Sequence, residues 1–143
     1  MKHIVIINGP NLNLLGRRDA TYYGTSSLLD IESDLKNKFS NQVKLSFFQS
    51  NHEGALIDYL QQLDNISGIV INPGALTHTS IALRDALLDT NIPSVEVHLS
   101  NIYKREPFRR NSYMSDICLG VISGFGPQVY NLAVQALINI KNF

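Results

Sequence analysis

Ile4-Val5-Ile6-Ile7-Asn8-Gly9-Pro10-Asn11-Leu12-Asn13-Leu14-Leu15-Gly16-Arg17-Arg18, running on to Tyr22-Tyr23-Gly24, is the stretch that decides the fold. Its first four residues are a short apolar run rich in β-branched side chains, the pattern of a strand buried on both faces. Asn8-Gly9-Pro10 is a turn cluster that ends the strand and turns the chain out of the sheet. A polar loop of about fifteen residues follows, and loops of that length in compact domains are usually lids or binding loops. In an open α/β sheet, ligands bind at the C-terminal ends of the strands. Residues 8–24 are therefore expected to form an active-site lid.

The same alternation continues outward. Thr25-Ser26-Ser27 offers a helix cap ahead of Leu28, Ile31, Leu35 and Phe39 at helical spacing. Val43 to Phe48 alternates apolar and polar residues and reads as an edge strand. A polar connection, Gln49 to Gly54, leads to a helix carrying Leu56, Tyr59, Leu60 and Leu63 on one face. Gly68-Ile69-Val70-Ile71 is a central strand halted by Asn72-Pro73-Gly74, and Thr77 to Leu88 is expected to be the next helix. Pro93 to Leu99 and Ile117 to Ile122 supply the fourth and fifth strands, and Pro127 opens a final amphipathic helix through Ile140. Five strand–helix alternations with no repeat or linker imply one domain, residues 1–143, with a parallel sheet covered by helices on both faces. The half-polar second strand fits an edge in a flavodoxin-like order 2-1-3-4-5.

Composition narrows the function. With 143 residues and 44% hydrophobic content the chain can bury a real core. Twelve basic and twelve acidic side chains cancel, so no global field favours nucleic acid or an anionic membrane, and any important charge is local. The lone cysteine, Cys118, lies in an apolar run and reads as a structural thiol. No apolar run has membrane-spanning length and Met1-Lys2-His3 enters a strand directly, so a soluble, cytoplasmic protein is expected. No GxxxxGK[ST] loop occurs, and no glycine-rich phosphate turn follows the first strand. The four histidines are far apart and cysteine ligands are absent, so neither a metal nor a cofactor is expected.

Polar residues cluster where the strands end: Asn8 and Asn11, then Asn72, then Glu96, His98 and Ser100. On the fourth strand Val95, Val97 and Leu99 point one way and Glu96, His98 and Ser100 the other. A strand between helical layers should be apolar on both faces, so a carboxylate and an imidazole at i and i+2 break the pattern. A hydrogen bond between them would offset the cost of burying Glu96 and fix the tautomer of His98. A purely structural Glu–His pair accounts for the same spacing, and spacing alone leaves both open. Arg17, Arg18, Tyr22 and Tyr23 on the lid, His78 after Asn72-Pro73-Gly74, and Arg109 and Arg110 in the charged loop Tyr103 to Tyr113 complete the candidates. Arg84 and Asp85 read as a surface pair. Together these groups suit proton abstraction next to a carbonyl followed by loss of water. A phenol is a poor base with its usual pKa of about 10, but a neighbouring guanidinium favours the phenolate.

Four blocks carry a specific likeness. Asn8-Gly9-Pro10-Asn11-Leu12-Asn13-Leu14-Leu15-Gly16-Arg17-Arg18 with Tyr23-Gly24 is the first. Asn72-Pro73-Gly74-Ala75 with Thr77-His78-Thr79-Ser80, Glu96-Val97-His98-Leu99-Ser100-Asn101 and Arg105-Glu106-Pro107-Phe108-Arg109 are the others. In that order, over essentially the whole chain, they resemble the type II 3-dehydroquinate dehydratases. The resemblance implies a flavodoxin-like fold and no cofactor. It also implies conversion of 3-dehydroquinate to 3-dehydroshikimate through an enolate, in the shikimate route to aromatic amino acids. Tyr23 matches the family's base and Arg18 the lid arginine that activates it. Asn11 matches the residue that holds a water against the enolate oxygen, His98 the general acid, and Glu96 its orienter. Asn72, His78 and Arg109 match groups that grip the substrate hydroxyls, and the backbone amides of Leu99 and Ser100 its carboxylate. Asp85 matches a residue given to a neighbouring subunit's site, which implies trimers assembled into a homododecamer. Leu14 stands where some members carry a further lid arginine. Tyr22 precedes Tyr23, and adjacency to Gly24 favours Tyr23 as the base.

Overall fold

β1 (His3–Asn8) lies inside a five-stranded parallel sheet, between β2 (Lys44–Gln49) and β3 (Gly68–Asn72). β4 (Ser94–His98) and β5 (Gly120–Ser123) extend it, giving the order β2-β1-β3-β4-β5. The structure is a computed structural model that describes residues 1–141. The doubly wound, flavodoxin-like order read from the sequence is the one observed, with β2 at an edge. Because successive strand residues face opposite ways, the all-apolar run of β1 feeds two cores. Ile4 and Ile6 join Val70, Val95 and Val97 beneath α2 (Leu28–Phe39) and α5 (Gln128–Ile138). Val5 and Ile7 join Ile69 and Ile71 beneath α3 (Glu53–Gln61) and α4 (Ile81–Asp89).

Local chemistry sets the helix ends. Ser27 and Asp30 form a capping box at the start of α2, each side chain accepting the other's backbone N–H at 3.1 Å. Ile31, Leu35 and Phe39 then fall on its buried face. α4 starts at Ile81, later than the expected Thr77, because Ser80 is the residue that caps it, accepting from the N–H of Leu83 at 2.9 Å. Gly74–His78 forms a separate 3-10 turn. At the far end of α5, Lys2 Nζ donates to the carbonyls of Leu137, Ile138 and Ile140 at 3.1 to 3.2 Å, a cation on the negative end of the helix. β5 starts at Gly120 rather than Ile117, since Ser115–Ile117 is a 3-10 turn and Gly120 is the first residue paired with β4. Cys118 therefore lies outside the strand, and burial, then the charges of Glu96 and Asp116, push its thiol up to about 12. It is a protonated, structural thiol.

The segment expected to be a lid is partly ordered by its own hydrogen bonds. It forms a 3-10 turn at Leu12–Leu14 and a short helix α1 (Ala20–Tyr23) capped by Asp19. Leu12, Leu15 and Tyr23 sink into the α2/α5 core, while Leu14 and Arg17 stay exposed.

Two turns meet where β1 and β3 end. Gly9 donates its N–H to Asn72 O at 2.8 Å, and a Cβ on Gly9 would lie 2.4 Å from the carbonyl oxygen of Pro73. Only backbone obstructs it, so nothing flexible can yield. Gly9→Ala is expected to lower stability by about 1–3 kcal/mol, the usual range for overpacking. Gly54→Ala, on α3 with open space around it, should instead gain about 0.5–1 kcal/mol from helix propensity. Urea midpoints of the two variants test the contrast, and equal midpoints would refute it.

Candidate active site

The strand ends bring distant side chains to one rim. Asn8 is in register with Asn72 across β1 and β3, and Ile71 with Glu96 across β3 and β4. Past these ends lies a cleft. The lid contributes Asn11, Arg18 and Tyr23 to its wall, and the β3 end and following turn contribute Asn72 and His78. β4 and its extension contribute His98, Leu99 and Ser100, and the loop beyond contributes Arg105 and Arg109. Of the eleven residues to which the family resemblance gives a role, ten are thus either on this wall or, like Glu96, directly behind it, while the further candidates Asn8, Arg17, Tyr22 and Arg110 are not on it.

Glu96 has no solvent exposure, and its carboxylate is surrounded by donors. His98 Nε2 lies 2.5 Å from Oε2, Thr77 Oγ1 donates to the same oxygen at 2.8 Å, and Ser115 Oγ donates to Oε1 at 2.6 Å. Ser112 Oγ sits 2.9 and 3.0 Å from the two oxygens. It also accepts the backbone N–H groups of Met114 and Ser115, which leaves its own proton for the carboxylate. Burial alone would raise the pKa of Glu96. The hydrogen bond and charge of His98, then Ser115 and Thr77, outweigh it and hold the group below the ordinary carboxylate value. An ionised Glu96 only accepts, so His98 carries a proton on Nε2 and turns Nδ1 to other partners.

His78 is half-buried, its ring 6.3 Å from that of His98. Its Nδ1 lies 2.7 Å from the carbonyl oxygen of Asn111, so Nδ1 is the protonated nitrogen. Burial is the main cause lowering its pKa. His78 is accordingly a neutral imidazole whose Nε2 is an acceptor.

Tyr23, rather than Tyr22, faces the cleft. It is 9% exposed, and Arg18 Nη2 donates to its hydroxyl at 2.8 Å with the guanidinium carbon 3.8 Å from the ring centroid. A donor on the phenol oxygen stabilises negative charge there. Tyr22 is more exposed and stands edge-on to Tyr23.

Arg105 had no role assigned from the sequence. Its charged surroundings read as solvated loop, yet its side chain is only 10% exposed. Its guanidinium lies 4.4 Å from the ring of Tyr22 and 5.2 Å from that of Tyr23, and Nη1 donates to Ser100 Oγ at 3.3 Å. Its Nε is buried with no hydrogen-bond partner among the described residues, since Glu106 Oε1 at 3.8 Å is too distant. The available signal was position alone, within the block Arg105 to Arg109. Three hydroxyl residues, Thr77, Ser112 and Ser115, were missed for the same reason.

Asp85 is not brought to this cleft. It is exposed on α4, and Arg84 pairs with Asp116 instead of its neighbour, with Arg84 Nη2 3.0 Å from Asp116 Oδ2. Lys104 is exposed and lines a different cleft beside Tyr22. Among the described residues no three His, Cys, Asp or Glu side chains gather as a metal-binding group, and no helix is long and apolar enough to cross a membrane.

A family model described as dehydroquinase class II matches residues 2–138. The chain belongs to the class II dehydroquinase family. Its members are hydro-lyases, and this chain is an enzyme of that type. It is 54% identical to the 3-dehydroquinate dehydratase of Methylococcus capsulatus, with 99% of this chain and 98% of the relative aligned. Against the 3-dehydroquinate dehydratase of Francisella tularensis subsp. novicida it is 53% identical, covering 97% and 96%. Its fold is similar to the crystal structure of type II dehydroquinase from Butyrivibrio crossotus, at 42% identity and a TM-score of 0.92 over 95% and 97% of the two chains. The type II dehydroquinase of Propionibacterium acnes gives 0.93 at 37% identity, over 98% of each chain.

The Glu96 cage predicts a pH dependence of stability. A carboxyl whose folded pKa is depressed contributes stability that is present above its unfolded pKa of about 4.3 and is lost as pH falls through the lower folded value. Glu96→Gln places an amide among donors and should destabilise the fold by about 3–5 kcal/mol at pH 7. That gap should narrow as the wild type is acidified below pH about 4. Denaturation curves from pH 3 to pH 8 check this, and a gap independent of pH would refute it.

Proposed function

We propose that this family member dehydrates 3-dehydroquinate to 3-dehydroshikimate in the shikimate route, by proton abstraction at C2 and loss of the C1 hydroxyl through an enolate. The observation that carries the reading is the pairing of Tyr23 with Arg18 on the same cleft as the Glu96–His98 couple. Tyr23, as the phenolate with Arg18 Nη2 against its oxygen, takes the C2 proton. The electron pair moves onto the ketone oxygen, where Asn11 holds a water that hydrogen-bonds the enolate. His98, as the imidazolium held by Glu96 through Nε2, gives the proton on Nδ1 to the C1 hydroxyl, which leaves as water while the ring double bond forms. A proton passing from the phenol to the imidazole restores both groups for the next turnover.

Binding follows from the remaining wall. Asn72, the neutral His78 and Arg109 take the substrate hydroxyls, and the backbone amides of Leu99 and Ser100 take the carboxylate. Positive charge from Arg18, Arg105 and Arg109 suits that carboxylate in a chain of zero net charge. No lysine lines the cleft among the described residues, in keeping with a route that forms no imine. Asp85, exposed on α4 and absent from the wall of its own cleft, is assigned to the cleft of a neighbouring copy in a trimer, with four trimers forming a dodecamer.

Ultraviolet absorbance rises when the conjugated enone forms, so mixing the purified protein with 3-dehydroquinate tests the reading directly. Tyr23→Phe should abolish turnover and retain substrate binding. Arg18→Ala should lower kcat by about a hundredfold to a thousandfold. Wild-type rates in Tyr23→Phe would refute the assignment of the base, and a lysine adduct trapped by borohydride with substrate would refute the imine-free route. Solution scattering should give the mass of a trimer or a multiple of it, and a fully active monomer would refute the role of Asp85.

A further inference from the structure

Tyr130 is the largest fully buried side chain, set in the first turn of α5 and absent from the cleft wall. Its hydroxyl donates to Asn8 Oδ1 at 2.5 Å and accepts from Asn72 Nδ2 at 3.0 Å. It therefore ties the last residues of β1 and β3 to a helix from the other end of the chain.

The direction of this chain of hydrogen bonds is determined. Asn72 Oδ1 accepts the backbone N–H of Gly74 at 3.2 Å, which forces the amide to present its NH2 group to Tyr130. The phenol oxygen must then accept, and its single proton has only Asn8 Oδ1 as destination. One N–H of Asn72 is used on Tyr130, and the second is left on a residue that lines the cleft. Burial pushes the pKa of this phenol up, which favours the protonated form that the arrangement requires.

We propose that Tyr130 is a positioning residue of this enzyme: its hydroxyl accepts one N–H of the Asn72 amide that the Gly74 N–H has oriented, restrains the amide so that the other N–H stays available to the cleft, and so sets the grip on substrate. This rests on the functional reading above, in which Asn72 binds a substrate hydroxyl. The ring of Tyr130 packs the core, whereas its oxygen acts on the site, so the two contributions separate on substitution.

Tyr130→Phe keeps the ring and removes the oxygen. KM for 3-dehydroquinate should rise about tenfold, the scale of one hydrogen bond, with kcat within about threefold of wild type. Leu137→Ala, cut from the buried face of the same helix, should lose stability as well yet leave KM unchanged. In an Asn72→Ala background, Tyr130→Phe should cause no further rise in KM, since both changes remove the same contact. Asn8→Ala retains the phenol but frees its proton to turn, and should raise KM as Tyr130→Phe does, which covers the case of a Tyr130 variant that does not fold. A readout independent of substrate is the side-chain amide of Asn72 in ¹H–¹⁵N spectra of the free protein. That signal should exchange slowly in the wild type and fast in Tyr130→Phe. An inactive wild type would sink the functional reading alone, with the positioning role judged from that amide signal. Unchanged KM in both variants, additive effects with Asn72→Ala, or an unaltered Asn72 amide signal would overturn the proposal.

Discussion

An ionised carboxylate with no solvent contact, Glu96, is the constraint around which the cleft end of this molecule is built. Removing such a charge from water costs several kcal/mol unless other donors replace the lost hydration. Here the donors come from three separate places in the chain: His98 two residues along the same strand, Thr77 in the turn after β3, and Ser112 with Ser115 in the segment before β5. Each must arrive for the others to be tolerable. The need for Thr77 explains why the chain after β3 makes a 3-10 turn and delays α4 until Ser80. Ser112 explains why the long charged loop folds back, where the N–H of Tyr113 also bonds the carbonyl of Thr77 at 2.8 Å. Arg105 and Arg109 belong to that loop and take their places from its anchoring.

Strand periodicity was enough to read the sheet, because the middles of β1 and β3, residues 4–7 and 69–71, are buried on both faces and wholly apolar. Glu96 and His98 stood out for the same reason, as a violation of a strong local rule. The hydroxyl residues of the cage carried no comparable signal. Ser and Thr are ordinary in loops, and only the folded chain shows that Thr77, Ser112 and Ser115 converge on one carboxylate. Arg105 was hidden by its neighbours, since Arg105-Glu106 next to exposed Tyr103 and Lys104 has the composition of solvated surface. Element boundaries slipped where a terminal residue is engaged elsewhere, as with Thr77 at α4 and Ile117 before β5. The segment after β1 stood out by its length and position, whereas its partial order depends on Leu12 and Leu15 entering the core.

Electrostatics in the cleft follows from that architecture. Arg18, Arg105 and Arg109 share one wall although the chain as a whole carries no net charge. Like charges in partial burial repel one another more strongly than they would in water. Arg109 is offset by Glu106, whose carboxylate accepts from Arg109 Nε at 3.1 Å. Arg18 is spread over the ring and oxygen of Tyr23, while Arg105 has the Ser100 hydroxyl, the two aromatic rings and the Glu106 carboxylate at 3.8 Å, with Nε lacking a hydrogen-bond partner among the described residues. The arrangement therefore concentrates positive charge on one wall of the cleft, around the hydroxyls of Tyr23 and Ser100. It does so without the global positive field that would also attract nucleic acid.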